Sequence, residues 1–263
     1  MNSIKNTNIN KKKKKSMTHQ KIKIIVNGAF GKMGALACDA LTNDERFEII
    51  AKLGRQDDLS ISLQQYPADV VLDLTQADCV WDNCRIYRQF SIRFVIGTSG
   101  LTAEQIKEIQ QHCLEEKQGA AIIPNFSIGA VMNMHFAQLS AKWFDSVDII
   151  EMHHEQKLDS PSGTAIRTAQ LIHDVKPEWP AIKSKPQPGR ETYIHQIPIH
   201  SVRMPGILAV QQVMFGQAGE TITLSHQTID RKAYMPGVLL ACEKVMSNEH
   251  LIVGLEHWLF ENQ

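Results

Sequence analysis

The chain has 263 residues, enough for one large or two ordinary domains, and a hydrophobic content of 43% supplies ample core. Its 28 basic residues balance 28 acidic ones, so the basic excess that marks a nucleic-acid-binding protein is missing. No run of 18 apolar residues exists, so no membrane span is expected. The five cysteines are scattered and form no C-x-x-C pair, which reads as reduced thiols in a cytoplasmic protein.

Residues 1–20 stand apart. The first ten are polar and rich in Asn, and Lys11 to Lys15 form an unbroken charge run. Nothing here can bury a face, so a disordered basic tail is expected. Transit peptides are rich in Arg, and this tail has none. Met17 offers a second start, which would make the tail a dispensable upstream extension.

Ordered sequence begins at Lys21. Ile22, Ile24, Ile25 and Val26 make a short buried-strand pattern. Asn27-Gly28-Ala29-Phe30-Gly31-Lys32-Met33-Gly34 follows directly, then a helical stretch over 35–41. Strand, glycine turn, helix is the context that a dinucleotide-binding fingerprint requires. Gly28 would allow the tight turn, Gly31 the approach of a pyrophosphate, and Gly34 close packing of helix on strand. The spacing is G-x-x-G-x-x-G, with Val26 where the usual first Gly stands, so an ordinary strand-to-helix turn is the competing reading. In an NAD-specific site the second strand, here 47–53, ends in an acidic residue for the ribose 2′-hydroxyl. This tip reads Leu53-Gly54-Arg55, with Asp57 and Asp58 further on. Arg55, helped by Lys32, suits a 2′-phosphate, so NADPH is the expected cofactor, with NADH also usable.

Strands over 68–74, 94–96 and 120–123 alternate with helices over 81–90 and 103–117, the latter capped by Thr102 with Gln105 in its first turn. This alternation predicts a Rossmann-like α/β domain with a parallel sheet. Ligands of such sheets bind beyond the carboxyl ends of the strands. Small or polar residues stand there in Asp73-Leu74-Thr75, Gly97-Thr98-Ser99 and Pro124-Asn125-Phe126-Ser127, beside the glycine turn. Together they predict a cofactor cleft.

From Ile128 the pattern changes to α+β. An apolar helix over 128–144 has Met132 and Met134 as core filler. A strand over 147–152 and a helix over 164–175 follow, then a break at Pro177 and Pro180 and a loop over 181–193. Long strands are expected over 194–204, 207–215 and 221–227, the last two joined by a hairpin at 216–219, giving a mainly antiparallel sheet. Gln211, Gln212 and His226 alternate oddly for a buried face, which points to a polar but protected surface that meets another subunit. A last helix over 238–246 is expected to return to the first domain. The expected division is 21–127 with 231–263 for the nucleotide, and 128–230 for substrate and assembly.

Most of the chemistry is concentrated in Glu151-Met-His153-His154-Glu-Gln-Lys157-Leu-Asp159-Ser160-Pro161-Ser162-Gly163-Thr164. On a strand, Glu151 and His153 share one side, and Met152 and His154 the other. Ser160 as a hydroxyl cap with Pro161 at the first helical position would start a helix, whose free N–H groups favour anions. Lys157 adds a positive charge. The residues predict a pocket for a carboxylate-bearing substrate, with His and Lys placed to move protons. An exposed loop is the plain alternative. Metal is disfavoured, because adjacent His residues on a strand diverge.

With these motifs assembled, the chain from Lys21 onward resembles the dihydrodipicolinate reductase (4-hydroxy-tetrahydrodipicolinate reductase) family of bacterial and plant lysine biosynthesis. The stretch Glu151-x-His153-His154-x-x-Lys157-x-Asp159-x-Pro161-Ser162-Gly163-Thr164 carries most of the likeness. The 28–34 turn, Gly97-Thr98-Ser99, Pro124-Asn125-Phe126-Ser127 and Ser201-Val202-Arg203 follow the family pattern in order. The resemblance implies hydride transfer from a pyridine nucleotide to C4 of a cyclic dicarboxylic imine, then protonation, giving tetrahydrodipicolinate. It implies His153 as acid/base residue and Lys157 as proton donor, with His154, Gly163 and Thr164 binding substrate carboxylate. It implies cofactor binding by Gly28, Ala29, Phe30, Gly31, Lys32, Met33 and Arg55, by Gly97, Thr98 and Ser99, and by Ile123, Pro124, Asn125 and Phe126. It further implies a homotetramer built through the second-domain sheet. The family often has Arg where this chain has Lys32 and Gln76, and members that use NADH readily tend to be acidic at the Gly54 position. Two rival readings are another two-domain NAD(P)H-dependent oxidoreductase acting on an amino-acid-derived imine or aldehyde, and a nucleotide sensor without catalysis.

Overall fold

The computed structural model describes residues 20–179 and 192–260. The expected tail, apart from its last residue, and most of the loop expected over 181–193 therefore lie outside the described residues.

Six short apolar runs form the first sheet: β1 (Ile22–Asn27), β2 (Phe47–Leu53), β3 (Val70–Asp73), β4 (Arg93–Ile96), β5 (Ala120–Ile122) and β11 (Leu251–Val253), in the order β11-β5-β4-β3-β1-β2. Every pairing is parallel. Both faces are covered, which explains why these strands read as continuous apolar runs rather than alternating ones. Ile24, Val26 and Leu72 face α1 (Lys32–Thr42), α7 (Met235–Lys244) and α8 (Glu256–Leu259). Ile25, Val71 and Phe94 face α2 (Leu59–Gln65), α3 (Val80–Gln89) and α4 (Ala103–Glu116). From β1 the chain goes to one side for β2 and to the other for β3, so the turn after β1 lies at the switch point, where such sheets leave a crevice.

The second sheet has the order β10-β9-β6-β8-β7, from β6 (Ser146–His153), β7 (Thr192–Ile194), β8 (Ile197–Arg203), β9 (Ala209–Gln217) and β10 (Glu220–Thr228). Only β6 and β8 pair in parallel, so the sheet is mixed and mainly antiparallel. Helices α5 (Ile128–Ala141) and α6 (Gly163–Val175) pack on one face over Ile149, Ile199, Val213 and Phe215. Helix α5 belongs to both cores: Val131 and Met134 join the first, Ala137 and Ala141 the second.

Several expectations change. Helix α2 and strand β11 were not foreseen. The strand expected over 194–204 is two, β7 and β8, joined by His195 and Gln196 at φ 49° and 67°. Two successive positive φ values make a tight hairpin turn, usually signalled by Asn or Gly, so this pair gave no sign. Ser162, not Ser160, caps α6, accepting from the Ala165 amide, and Pro161 precedes the helix. Gln211 and His226 face inward toward α5 and α6, so they are no sign of a subunit contact. Gln211 donates to Thr168 Oγ1 at 2.8 Å, and the His226 ring lies against Gly129.

Candidate active site

The turn after β1 forms a cradle. Gly28 has φ +83°, and a Cβ there would lie 2.6 Å from the Leu74 carbonyl oxygen. A Cβ on Gly34 would lie 2.1 Å from the Gly28 carbonyl oxygen, so α1 sits hard against the turn. Gly31, the N-cap of α1, offers no side-chain acceptor, whereas Asp58, Thr102, Ser127 and Ser162 cap α2, α4, α5 and α6. The uncapped amides of α1 are a ready anion site beside a cleft of about 560 Å³. That cleft is lined by Gly28, Phe30, Gly31, Gly54, Arg55, Asp57, Thr75, Gln76, Cys79 and Asn83, among others. The residues fit a pyridine dinucleotide.

A buried network sets the cleft floor. Asp73, fully buried, accepts from the Thr75 amide (2.9 Å), Asn83 Nδ2 (2.9 Å) and the Tyr87 hydroxyl (2.6 Å). Asn27 Nδ2 donates to the Tyr87 oxygen at 3.0 Å. Burial, reinforced by Asp73, pushes the Tyr87 phenol well above its ordinary value, so it stays a donor. Arg55 Nη2 reaches Gln76 Oε1 at 3.4 Å across the cleft. Asp57, three residues beyond Gly54, turns back to the same cleft and accepts from the Gly54 amide at 2.7 Å.

Ala29, Ile123 and Phe126 are buried, so the groups they can offer a ligand are backbone. Lys32 is exposed and Met33 half-buried in the first turn of α1. Gly97, Thr98 and Ser99 follow β4, with Thr98 Oγ1 donating to the Thr75 carbonyl (2.6 Å) and the Phe126 ring over Gly97. Pro124 and Asn125 follow β5, next along the same edge. Asn125 Nδ2 donates to Thr164 Oγ1 at 3.2 Å, which ties this edge to the start of α6.

Strand β6 delivers His153 there. His153, Asn125, Ser162, Thr164, Gln211 and His226 line a cavity of about 70 Å³. As the alternation predicts, Glu151 and His153 share a side, and His153 Nδ1 lies 2.6 Å from Glu151 Oε2. Glu151 is fully buried. Arg203, on the neighbouring β8, grips both its oxygens, Nη1 to Oε2 at 2.9 Å and Nη2 to Oε1 at 2.7 Å. The Ser162 amide donates to Oε1 at 3.2 Å. Burial raises the Glu151 carboxyl, but hydrogen bonds from His153, Arg203 and Ser201 outweigh it and hold the group at about 2.

Lys157 Nζ lies 2.7 Å from Asp159 Oδ1. Burial raises the Asp159 carboxyl, and bonds from Lys157 and the Gly163 amide bring it below its ordinary value. A carboxylate thus already rests between Lys157 and the N-terminus of α6. Gly163 is exposed, with nothing within 4 Å of where a Cβ would stand. The His154 carbonyl closes the turn by accepting from the Lys157 amide at 3.1 Å. His226 Nε2 lies 3.3 Å from Ser127 Oγ, and burial pushes its imidazole down.

Sequence reasoning placed Glu151, Arg203, Asp73 and Asp57 in or beside its motifs without giving them a role, and did not point to Tyr87. The shared strand face was the available signal for Glu151. Arg203 stands in the Ser201-Val202-Arg203 run that follows the family pattern, but its contact with Glu151 depends on the parallel pairing of β6 and β8 across about fifty residues. Among the described residues, no group of three or more His, Cys, Asp or Glu could hold a metal ion. Nor is any described helix long and apolar enough to cross a membrane.

Residues 22–126 match the family model for the dihydrodipicolinate reductase N-terminus, and residues 129–259 the model for its C-terminus. The chain is 49% identical over 240 residues to a 4-hydroxy-tetrahydrodipicolinate reductase of Legionella pneumophila strain Philadelphia 1, covering 90% of this chain and 99% of that protein. It is 45% identical over 238 residues to one from Coxiella burnetii strain Dugway 5J108-111, with the same coverage. A solved dipicolinate-bound dihydrodipicolinate reductase from Paenisporosarcina sp. TG-14 superposes with a TM-score of 0.81 at 38% identity, over 90% of this chain and 99% of that one. With both halves matched by the family's models, this chain belongs to the dihydrodipicolinate reductase family.

Proposed function

We propose that the chain reduces 4-hydroxy-tetrahydrodipicolinate to tetrahydrodipicolinate with NADPH, accepting NADH less well, in diaminopimelate and lysine biosynthesis. The observation that carries this reading is the junction at Asn125 and Thr164, where the cofactor edge of one sheet meets the His153 cavity of the other. A solved relative is described as bound to dipicolinate, a planar dicarboxylate of the same class as the substrate. The free cytosol-type cysteines and the family membership support a cytoplasmic enzyme.

When bound, a nicotinamide would supply the hydride for C4 of the substrate ring. The protein's residues position and protonate. The glycine cradle and the amides of α1 would hold the pyrophosphate, and Arg55 would meet a 2′-phosphate. The α6 amides at Gly163 and Thr164, with His154 and Lys157, take the substrate carboxylates, and the incoming anion exchanges with the Asp159 carboxylate for Lys157. His153 and Lys157 handle the proton that follows the hydride. The first unit comprises 21–127 with 231–263, as the return of β11 to the first sheet supports, and the second 128–230.

The decisive assay is NADPH oxidation with substrate generated in situ by the preceding synthase. Synthase-dependent oxidation is expected, and its absence with NADPH binding intact would sink the reading. His153→Gln should lower kcat by roughly 10²–10⁴-fold with NADPH affinity unchanged; a loss of only a few-fold would remove the acid/base role.

A further inference from the structure

We propose that Glu151 is the positioning residue of this site: it holds the His153 ring through Nδ1 and ties it to Arg203 and the start of α6, leaving Nε2 as the nitrogen that exchanges protons with substrate. The inference rests on the reductase reading given above and extends it to a residue that does not touch substrate.

Three observations carry it. The Glu151 carboxylate is fully buried and its bonds converge on the site: His153 Nδ1 at 2.6 Å, Arg203 at 2.9 and 2.7 Å, and the Ser162 amide at 3.2 Å, with Ser201 on β8 a further donor. An ionised carboxylate accepts hydrogen bonds and cannot donate them, so the Nδ1 facing it carries the hydrogen. That fixes the tautomer and leaves Nε2 to the cavity that His153 lines.

Second, Arg203 takes both carboxylate oxygens in the fork geometry that satisfies a buried anion. The charge of Glu151 is therefore already matched, and His153 need not stay protonated to balance it. The ring can take up and release a proton while Nδ1–H stays in place. Third, the same carboxylate bonds the Ser162 amide, and Arg203 Nη2 also donates to the Asp159 carbonyl at 2.7 Å. Ser162 caps α6, and Asp159 engages Lys157. One buried anion thus sets the distances among the imidazole, the carboxylate-binding helix end and the segment carrying Lys157.

Two measurements test this. Nitrogen-15 spectra of the histidine rings of the wild-type protein should show the neutral form of His153 with the hydrogen on Nδ1; a hydrogen on Nε2 overturns the proposal. This readout needs no substrate, so it stands apart from the coupled assay, whose failure would sink the reductase reading instead. In kinetics, Glu151→Gln should lower kcat about 100-fold while leaving KM for NADPH within twofold. Because Glu151 acts through His153, the same change in a His153→Gln background should cost less than twofold further. Equal losses in both backgrounds would mean a merely structural role and overturn the proposal, as would a kcat within threefold of wild type. Glu151→Asp, which keeps the charge but withdraws it from the ring, should fall between wild type and Glu151→Gln. If Glu151→Gln does not fold, the wild-type spectrum and Glu151→Asp decide.

Discussion

A buried carboxylate such as Glu151 is costly to leave unpaired, and His153, Arg203, Ser162 and Ser201 all donate to it here. Its folded-state value of about 2 lies below the ordinary 4.5, so it stabilises the fold fully above about pH 4.5 and loses that contribution as pH falls toward 2. The contribution is about 3 kcal/mol, lost over that acid window. Urea midpoints measured between pH 6 and pH 2.5 should fall more steeply for the wild type than for Glu151→Gln; parallel curves would refute the linkage. Arg203→Ala should be worse than either, costing about 3–5 kcal/mol, because it strands the anion. At the cleft, Arg55→Ala should weaken NADPH about tenfold more than NADH by fluorescence titration. Equal effects would assign discrimination elsewhere, with Asp57 the first place to look. Thiol chemistry should also map the cleft. Burial pushes Cys84 and Cys242 up to about 12 and Cys113 to about 11, and raises Cys38 as well. Cys79 alone of the five is only half-buried, and it lines the cleft. Iodoacetamide should therefore label Cys79 first, and NADPH should protect it. Mass spectrometry that found another cysteine modified first would contradict this.

At the scale of elements, helices pressed against backbone define the cleft. A Cβ on Gly237, in α7, would lie 2.0 Å from the Phe126 carbonyl oxygen. Gly237→Ala should push α7 off the Ile123 to Phe126 segment, costing about 3 kcal/mol in unfolding experiments and weakening NADPH binding. Unchanged stability would show that the helix can slide. Much of this architecture is legible in the chain. The strand, glycine turn and helix at 22–42, the Thr102 cap and the hairpin at 216–219 all follow from local pattern. What escaped has local reasons. Helix α2 has seven residues, too few for a periodic signal, and β11 has three. The β7–β8 turn uses His195 and Gln196 where Asn or Gly is usual. In the site, the shared face of Glu151 and His153 was legible from strand alternation. The grip of Arg203 on Glu151 was not, because tertiary pairing brings it in.

For the whole molecule, the exposed side of the second sheet is the notable surface. Helices α5 and α6 take one face. On the other, Ile150, Met152, Val202, Val210, Gln212 and Met214 are half-buried along adjacent strands. These apolar side chains, mixed with Gln212 and the Asp148–His200 pair, are what a homotetramer built through this sheet, as the family resemblance implies, would cover. Ile150→Glu should yield a smaller species by sedimentation; an unchanged mass would place the assembly surface elsewhere. The sheet order has a further consequence, for biosynthesis. Strand β5 lies between β4 and β11, and β11 comes from residues 251–253. A ribosome therefore exposes the unpaired edge of β5 throughout synthesis of the whole second sheet, until β11 emerges and closes it. A product truncated after Asn248 would keep every proposed catalytic side chain and yet carry a sticky, open strand edge.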